Sequence, residues 1–350
     1  MSRLGICTHS SVEAPGLLAA SEVNTASLLL DFSPDFVILH ATDDAALAAE
    51  AAAGLLAPVA TVSPKFLYDP LGSRLFDAIT ETAEYYPTRT EAAIMAAHGA
   101  DMARAALDIT GPAPALVDLG AGNCAKASRL FAALRPAHYV AVDISVDFLR
   151  QSLQCLQREH PAVRMTGIGL DFSAALAMPQ GLLKGPAVVF YPGSSIGNFD
   201  PVQARRLLAE ARAVAAGGAL LIGADLVKPV EVLEAAYDDA LGITAAFNLN
   251  LLNGLNRLLG ADFELRDWRH LARFDEAHSR IEMHLEARRS LTVRWPGAQR
   301  RFAAGERIHT ENSYKWTAPG FEALLREAGF TAVRGWSDAR GWFGLWLAWG

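Results

Sequence analysis

The chain is short of cysteine, carries no excess of positive charge and has no long apolar run. Its three cysteines, Cys7, Cys124 and Cys155, are odd in number, far apart and without metal-ligand spacing. That excludes a disulfide framework from the expectations and suits a reducing compartment. A net charge of −7 argues against nucleic acid or an anionic membrane as partner, since both require a basic face. The early apolar stretches are broken by Glu22, Asp31 and Asp35, Arg3 is the lone basic residue at the start, and nothing approaches the length of a membrane span. The nine histidines show neither His-Glu-x-x-His nor paired-ligand spacing, so no metal is expected. What these absences leave is a cytoplasmic protein, expected to be monomeric, acting on a small molecule.

What is present is globular. Half of the 350 residues are hydrophobic (51%) and a fifth are charged (20%), enough for one large or two ordinary domains. The stretch around which the rest is organised is Ala115 to Phe131. A short apolar run with β-branched content, Ala115 to Leu119, meets a turn at Gly120 and Gly122, after which Cys124, Ala127, Leu130, Phe131 and Leu134 recur at helical spacing. Strand, glycine turn and helix in that order form a nucleotide-type cofactor cradle, because a glycine lets the ligand lie against backbone and the first free N–H groups of the helix face the same space.

Further strands follow. Tyr139 to Val142 ends at Asp143, with Ser145 as N-cap of the next helix; Met165 to Leu170 is closed by Asp171 and Phe172; Ala187 to Tyr191 and Ala219 to Leu226 complete the set. Alternation with helices at this spacing predicts a parallel, doubly wound α/β sheet. Upstream, Asp43 to Leu56 reads as a helix, Ser63 to Ser73 as an ordered loop, and Leu75 to Ile79 as the start of another helix. Thr88 and Glu91 are placed as a capping box for a helix running toward Ala106. After Pro229 the pattern changes: 231–259 is mostly helical, 279–295 reads as an antiparallel hairpin and 308–315 as an extended piece. A helix over 321–328 and two strands, 331–336 and 343–349, then restore the first pattern. Residues 1–34 carry little periodicity and receive no role.

Asp143 lies 21 positions after Gly122, where a carboxylate accepts hydrogen bonds from a ribose diol. A nicotinamide dinucleotide and S-adenosylmethionine both offer that diol. Three features favour the methyl donor: the helix lacks the third glycine of a pyrophosphate cradle, Asp171 and Phe172 can serve an adenine, and the closing strand pair resembles the antiparallel hairpin of class I methyltransferases.

With these residues placed, the chain resembles the histidine-specific Nα-methyltransferase family of ergothioneine biosynthesis over roughly residues 35–350. Eight segments carry the resemblance in order: Pro64-Lys-Phe-Leu-Tyr-Asp-Pro-Leu-Gly-Ser73, Glu84-Tyr-Tyr-Pro-Thr-Arg-Thr-Glu91, Val117-Asp-Leu-Gly-Ala-Gly-Asn123, Val142-Asp-Ile-Ser145, Pro192-Gly-Ser-Ser-Ile-Gly-Asn-Phe-Asp200, Ala236-Tyr-Asp-Asp239, Arg280-Ile-Glu-Met-His284 and His309-Thr-Glu-Asn-Ser-Tyr-Lys315. The resemblance implies a class I S-adenosylmethionine-dependent, Rossmann-like domain, residues 90–227 plus 316–350, and an associated α+β substrate-binding domain, residues 35–89 plus 228–315. Two departures stand out: residues 1–34 fall outside it, and Cys124-Ala125 follows the glycine turn.

The resemblance also implies roles. Asn198 and Tyr237 match residues that meet the substrate carboxylate, Tyr85 and Gly193 those near the α-amine, and Glu311 and Ser313 those that hold the imidazole. Tyr68, Phe76 and Met283 match residues lining the same pocket. Gly120, Gly122, Lys126, Asp143, Asp171 and Phe172 form the donor site. If 308–315 is extended, positions 311 and 313 face one side, so a carboxylate and a hydroxyl grip both ring nitrogens. The activity implied is trimethylation of the α-amino nitrogen of L-histidine to hercynine, with Tyr85 positioning that nitrogen rather than acting as a strong base. The alternatives are an N-methyltransferase for another free amino acid, a dinucleotide oxidoreductase, and a donor-binding protein without turnover.

Overall fold

A computed structural model describes residues 33–39 and 44–350, so Cys7 and almost all of the unassigned first 34 residues lie outside the described part. In chain order come β1 (Asp35–Ile38), α1 (Asp44–Leu56), β2 (Ala60–Thr61), a 3-10 turn (Pro64–Leu67), α2 (Pro70–Thr80) and α3 (Tyr86–Thr110). The central run is β3 (Ala115–Leu119), α4 (Ala125–Leu134), β4 (His138–Asp143), α5 (Val146–Glu159), β5 (Arg164–Gly169), β6 (Ala187–Tyr191), a second 3-10 turn (Ser195–Asn198), α6 (Pro201–Ala215) and β7 (Ala219–Asp225). The remainder is α7 (Val230–Tyr237), α8 (Ile243–Leu259), β8 (Trp268–Asp275), β9 (Arg280–Ala287), β10 (Leu291–Trp295), β11 (Ala298–Phe302), β12 (Arg307–Tyr314), α9 (Ala318–Glu327), β13 (Ala332–Ser337) and β14 (Phe343–Trp349).

Strands β3 to β7 are almost wholly buried, which is what apolar runs covered by helices on both faces produce. They form an eight-stranded sheet in the order β1-β5-β4-β3-β6-β7-β14-β13. All neighbours are parallel except β14 with β7 and β13 with β14, which gives the class I methyltransferase arrangement expected. Helices α3, α4 and α5 cover one face through Met102, Phe131 and Leu153. On the other face lie α6 and α9, the latter through Phe321, Leu324 and Leu325. Each such side chain contributes about 1.5–3 kcal/mol of burial. The strand order reverses between β3 and β6, and in such sheets the crevice for a ligand lies beyond the carboxyl ends of the strands at that point.

A smaller sheet, β2-β12-β9-β8, packs on α1, α2 and α8 around Leu67, Leu251, Leu255 and Trp268. It returns to the large sheet where Trp316 bridges Leu226. The second 3-10 turn lies directly on β12: a Cβ at Gly197 would stand 3.0 Å from the Tyr314 carbonyl, so only glycine allows that approach.

Four expectations are corrected. Residues 35–38, placed in the substrate unit, instead pair with β5 and extend the large sheet. The 279–295 segment is not one hairpin: β9 pairs with β8 and β12, while β10 turns back on β11 through Pro296 and Gly297 at φ 83°. Thr88 and Glu91 form no capping box, because Pro87 in the first turn starts α3 earlier, at Tyr86. Ser145 precedes α5 as expected but its hydroxyl caps nothing; it donates to the Tyr68 carbonyl, 3.1 Å away.

Candidate active site

The donor side is built on the glycine turn. Gly120 and Gly122 have φ of 68° and 52°, and no heavy atom lies within 4 Å of where a Cβ would stand on either. Both the backbone conformation and the open space therefore favour glycine, and the space is a cradle that a side chain would fill. Cys124, the departure noted above, is buried and takes a left-handed conformation before α4. Asp143, at the end of β4, accepts from Gly122 N at 2.9 Å and Ser145 N at 2.8 Å, which aims its carboxylate along the turn. Each oxygen keeps a lone pair for a diol. Asp171 accepts from Ser173 N at 3.0 Å and faces Lys65 Nζ at 3.3 Å, and Phe172 stands edge-on to Tyr191. These residues fit an adenosyl donor: a diol acceptor, an acid and an aromatic ring round an open glycine turn.

One residue joins this turn to the next loop. Glu91, buried in α3, accepts from Gly193 N at 2.8 Å and lies 2.7 Å from Lys126 Nζ on α4. A Cβ on Gly193, whose φ is 78°, would stand 2.9 Å from that ammonium. The donor helix and the loop after β6 are thereby clasped together by a single carboxylate.

Beyond Gly193 opens a cavity lined by aromatic side chains and a few convergent polar groups, the composition of a small-molecule site. All nine residues expected to contact substrate line it: Tyr68, Phe76 and Tyr85 from the N-terminal segment, Gly193 and Asn198 from the loop after β6, and Tyr237, Met283, Glu311 and Ser313 from the later elements. Ring edges meet between Tyr68 and Phe76 (5.7 Å), Tyr68 and Phe247 (5.6 Å), and Tyr85 and Tyr237 (6.2 Å), forming an aromatic wall. Burial drives the hydroxyls of Tyr68, Tyr85 and Tyr237 well above the usual phenol range, so all are protonated.

The register of β12 on β9 shifts between His309 and Glu311, a bulge that turns both Glu311 and Ser313 into the cavity beside Met283. Glu311 is buried, and its Oε2 has no hydrogen-bond partner among the described residues. Burial pushes its carboxyl up to about 7 against the pull of the Lys315 cation. Ser313 Oγ lies 2.6 Å from Tyr237 Oη, and Lys315 Nζ donates to Ser313 Oγ at 2.8 Å and to Tyr237 Oη at 3.0 Å. Behind them the Lys315 ammonium contacts Asp225 Oδ2 at 2.9 Å, and Asp225 also takes the Tyr86 hydroxyl at 2.6 Å and Lys228.

The sequence reading missed Glu91, Asp225, Thr244 and Phe247 as parts of this region, and it gave Lys315 no role. A signal existed for Glu91, a carboxylate on the buried helical stripe of Ile94, Met95 and Met102. Phe247 and Thr244 belong to a helix in which apolar residues and asparagines interleave and both kinds are buried, so the cavity-facing positions do not stand out. Among the described residues no group of three or more His, Cys, Asp or Glu could hold a metal, and no helix is long and apolar enough to cross a membrane.

Comparison with known proteins accords with this geometry. Residues 47–349 match the model of the histidine-specific, S-adenosylmethionine-dependent methyltransferases. The histidine N-alpha-methyltransferase of Mycolicibacterium smegmatis is 39% identical over 311 residues, covering 87% of this chain and 94% of that protein. Its counterpart from Mycobacterium tuberculosis is 39% identical over 320 residues, 88% and 97% of the two chains. Ergothioneine biosynthesis protein 1 of Schizosaccharomyces pombe is 29% identical over 278 residues, 76% of this chain and 36% of that longer protein. A match of this extent, over a fold and a cavity already of the right kind, places the chain in the family of histidine-specific, S-adenosylmethionine-dependent methyltransferases.

Proposed function

We propose that this protein transfers three methyl groups in succession from S-adenosylmethionine to the α-amino nitrogen of L-histidine, giving hercynine, the first step of ergothioneine biosynthesis. The observation that carries the reading is the buried Oε2 of Glu311, unpartnered among the described residues, in one cavity with Ser313 and with Gly193, whose loop Glu91 ties to Lys126 on the donor helix. An unsatisfied buried carboxylate oxygen costs about 1–3 kcal/mol, a cost a ring N–H would remove.

S-adenosylmethionine, when bound, supplies an electrophilic methyl group on a sulfonium. Gly120 and Gly122 would hold it by backbone approach, Lys126 at the head of α4, Asp143 through the ribose diol, and Asp171 with Phe172 at the adenine. Asn198 and Tyr237 donate to the histidine carboxylate, and Glu311 and Ser313 hold the two ring nitrogens. Tyr68, Phe76 and Met283 close the sides and exclude water. Methyl transfer is an in-line displacement, so what remains for the protein is to deliver a neutral amine at near-attack distance. An α-amine with pKa about 8 is largely protonated at neutral pH and must shed that proton. Tyr85, protonated and edge-on to Tyr237, orients the nitrogen rather than taking the proton. The substrate unit is assigned to 44–89 plus 228–315, and the donor unit to 35–38, 90–227 and 316–350.

Mass spectrometry of histidine incubated with the protein and S-adenosylmethionine tests the reading. Successive mono-, di- and trimethylated histidine is the expected result. Methylation of another amino acid with histidine untouched would overturn it.

A further inference from the structure

We propose that Lys315 is a positioning residue that fixes the direction of the hydrogen bonds around the substrate ring, so that histidine is held with one proton shared between its imidazole and Glu311. The inference rests on the histidine reading and deepens it. It follows from counting hydrogens. An ammonium has three donors and no lone pair, and a hydroxyl has one donor. The Lys315 side chain is wholly buried, and its three nearest acceptors are Asp225 Oδ2 at 2.9 Å, Ser313 Oγ at 2.8 Å and Tyr237 Oη at 3.0 Å. All three of its protons are therefore spent, and both hydroxyls are obliged to accept one.

The 2.6 Å bond between Tyr237 Oη and Ser313 Oγ consumes one further proton, contributed by one hydroxyl or the other. If Tyr237 donates, both serine lone pairs are filled, Ser313 can only donate to a ring, and Tyr237 has nothing to give a carboxylate. If Ser313 donates, Tyr237 keeps its proton and Ser313 retains a single lone pair, so it can only accept. A substrate carboxylate accepts and never donates. It therefore selects the second arrangement, in which Ser313 takes the N–H of one ring nitrogen. The other nitrogen then faces Glu311 across a bond that must contain a proton, either as carboxylic acid with imidazole or as carboxylate with imidazolium. Both descriptions hold the same proton count.

The groups facing Glu311 agree with this. Lys315, the residue after β12, is the one cation there among the described residues, already engaged with Asp225 from β7; the others are the hydroxyls of Tyr68, Tyr85 and Tyr237. Met283 from β9 and Phe247 from α8 complete the lining without charge. Burial raises the Glu311 carboxyl toward neutrality, which is the direction a shared proton requires.

The test is calorimetry of hercynine binding in the presence of S-adenosylhomocysteine at pH 8, in buffers of different ionisation enthalpy. The quaternary nitrogen of that product does not titrate, and its free ring is neutral at this pH, so proton uptake reports the Glu311 bond alone. The wild type should take up close to one proton per site, and its affinity should fall roughly tenfold per pH unit above about 7. In Lys315→Met, Ser313 is released to donate and Glu311 accepts from a neutral ring; because loss of the cation also raises the Glu311 carboxyl, binding should take up no proton and instead release whatever proton the free variant's Glu311 carried. Asp225 keeps Lys228 and Tyr86 in that variant. Tyr237→Phe leaves the Lys315–Asp225 pair intact and should abolish uptake in the same way, by freeing the serine proton. Unchanged affinity for S-adenosylhomocysteine checks that both variants fold. Uptake equal to wild type in either folded variant, or wild-type binding without uptake, overturns the inference and leaves the histidine reading standing. Failure of the wild type to bind the product at all overturns both.

Discussion

Inside the cavity, Glu311 and Tyr85 make separable demands on the substrate. Replacing Glu311 by alanine removes the partner of one ring nitrogen, and histidine affinity should weaken by about 2 kcal/mol, roughly 30-fold, with donor affinity unchanged. Calorimetry at saturating S-adenosylhomocysteine reads this directly, and equal histidine affinity would remove Glu311 from the pocket. Tyr85 stands at the N-cap of α3 with its ring against Tyr237 and Phe76, and its hydroxyl hydrogen-bonds to nothing among the described residues. Tyr85→Phe should slow at least one of the three methylations about tenfold, as an orienting contact is lost. Time-resolved mass spectrometry showing all three steps at wild-type rates would reject that role. A third buried group acts on stability. Asp118 accepts the Tyr139 hydroxyl at 2.7 Å, while its other oxygen has no partner among the described residues, and burial pushes its carboxyl up to about 7. The folded state then keeps a proton that the unfolded chain releases near pH 4, so stability falls as pH rises between those values. Up to about 4 kcal/mol is at stake over the whole span, of which about 3 kcal/mol falls between pH 5 and 8, and that difference should be absent from Asp118→Asn in urea unfolding at those two pH values.

Helix α3 and the loop after β6 owe their alignment to Glu91. A Cβ on Gly223 would fall 2.4 Å from its Oε1, so the strand beneath is kept bare to admit the carboxylate. Glu91→Ala leaves Gly193 N–H and Lys126 without their partner, and affinities for donor and histidine should both fall about tenfold. Titration showing the donor bound as before would mean that the clasp plays no part in the donor site. How legible each element was follows from its burial. Strands β3 to β7 are covered on both faces and therefore spell themselves out as apolar runs. β8 and β11 alternate arginine with apolar residues, as in Arg269 and Arg273 or Arg301 before Phe302, and their polar faces hid them. The pairing of β9 depends on which neighbour the tertiary fold supplies, and the local pattern contains no such information. Glu311 and Ser313 came from the family resemblance, and their two-residue spacing on an extended segment agreed with a shared face. Asp225 and Lys315 meet only when β12 closes on β7, so a strand-end acid and a distant lysine gave no local sign of one another.

The described residues form three sheets, and the proposed site lies between the two larger ones. The large sheet provides the glycine turn at its switch point, the small one provides the bulged strand that carries Glu311 and Ser313, the proposed ring clamp, and the chain crosses between them after β7 and after β12. That layout requires donor and amino acid to meet at the boundary, with Gly193 and its neighbours between them. The measurement that tests it most directly is a crystal structure with L-histidine and S-adenosylhomocysteine bound. The account predicts the imidazole between Glu311 and Ser313 at hydrogen-bonding distance, the α-nitrogen toward Tyr85, and the sulfur over Gly120 and Gly122. A ring bound away from Glu311 and Ser313, or an α-nitrogen turned away from the sulfur, would contradict it.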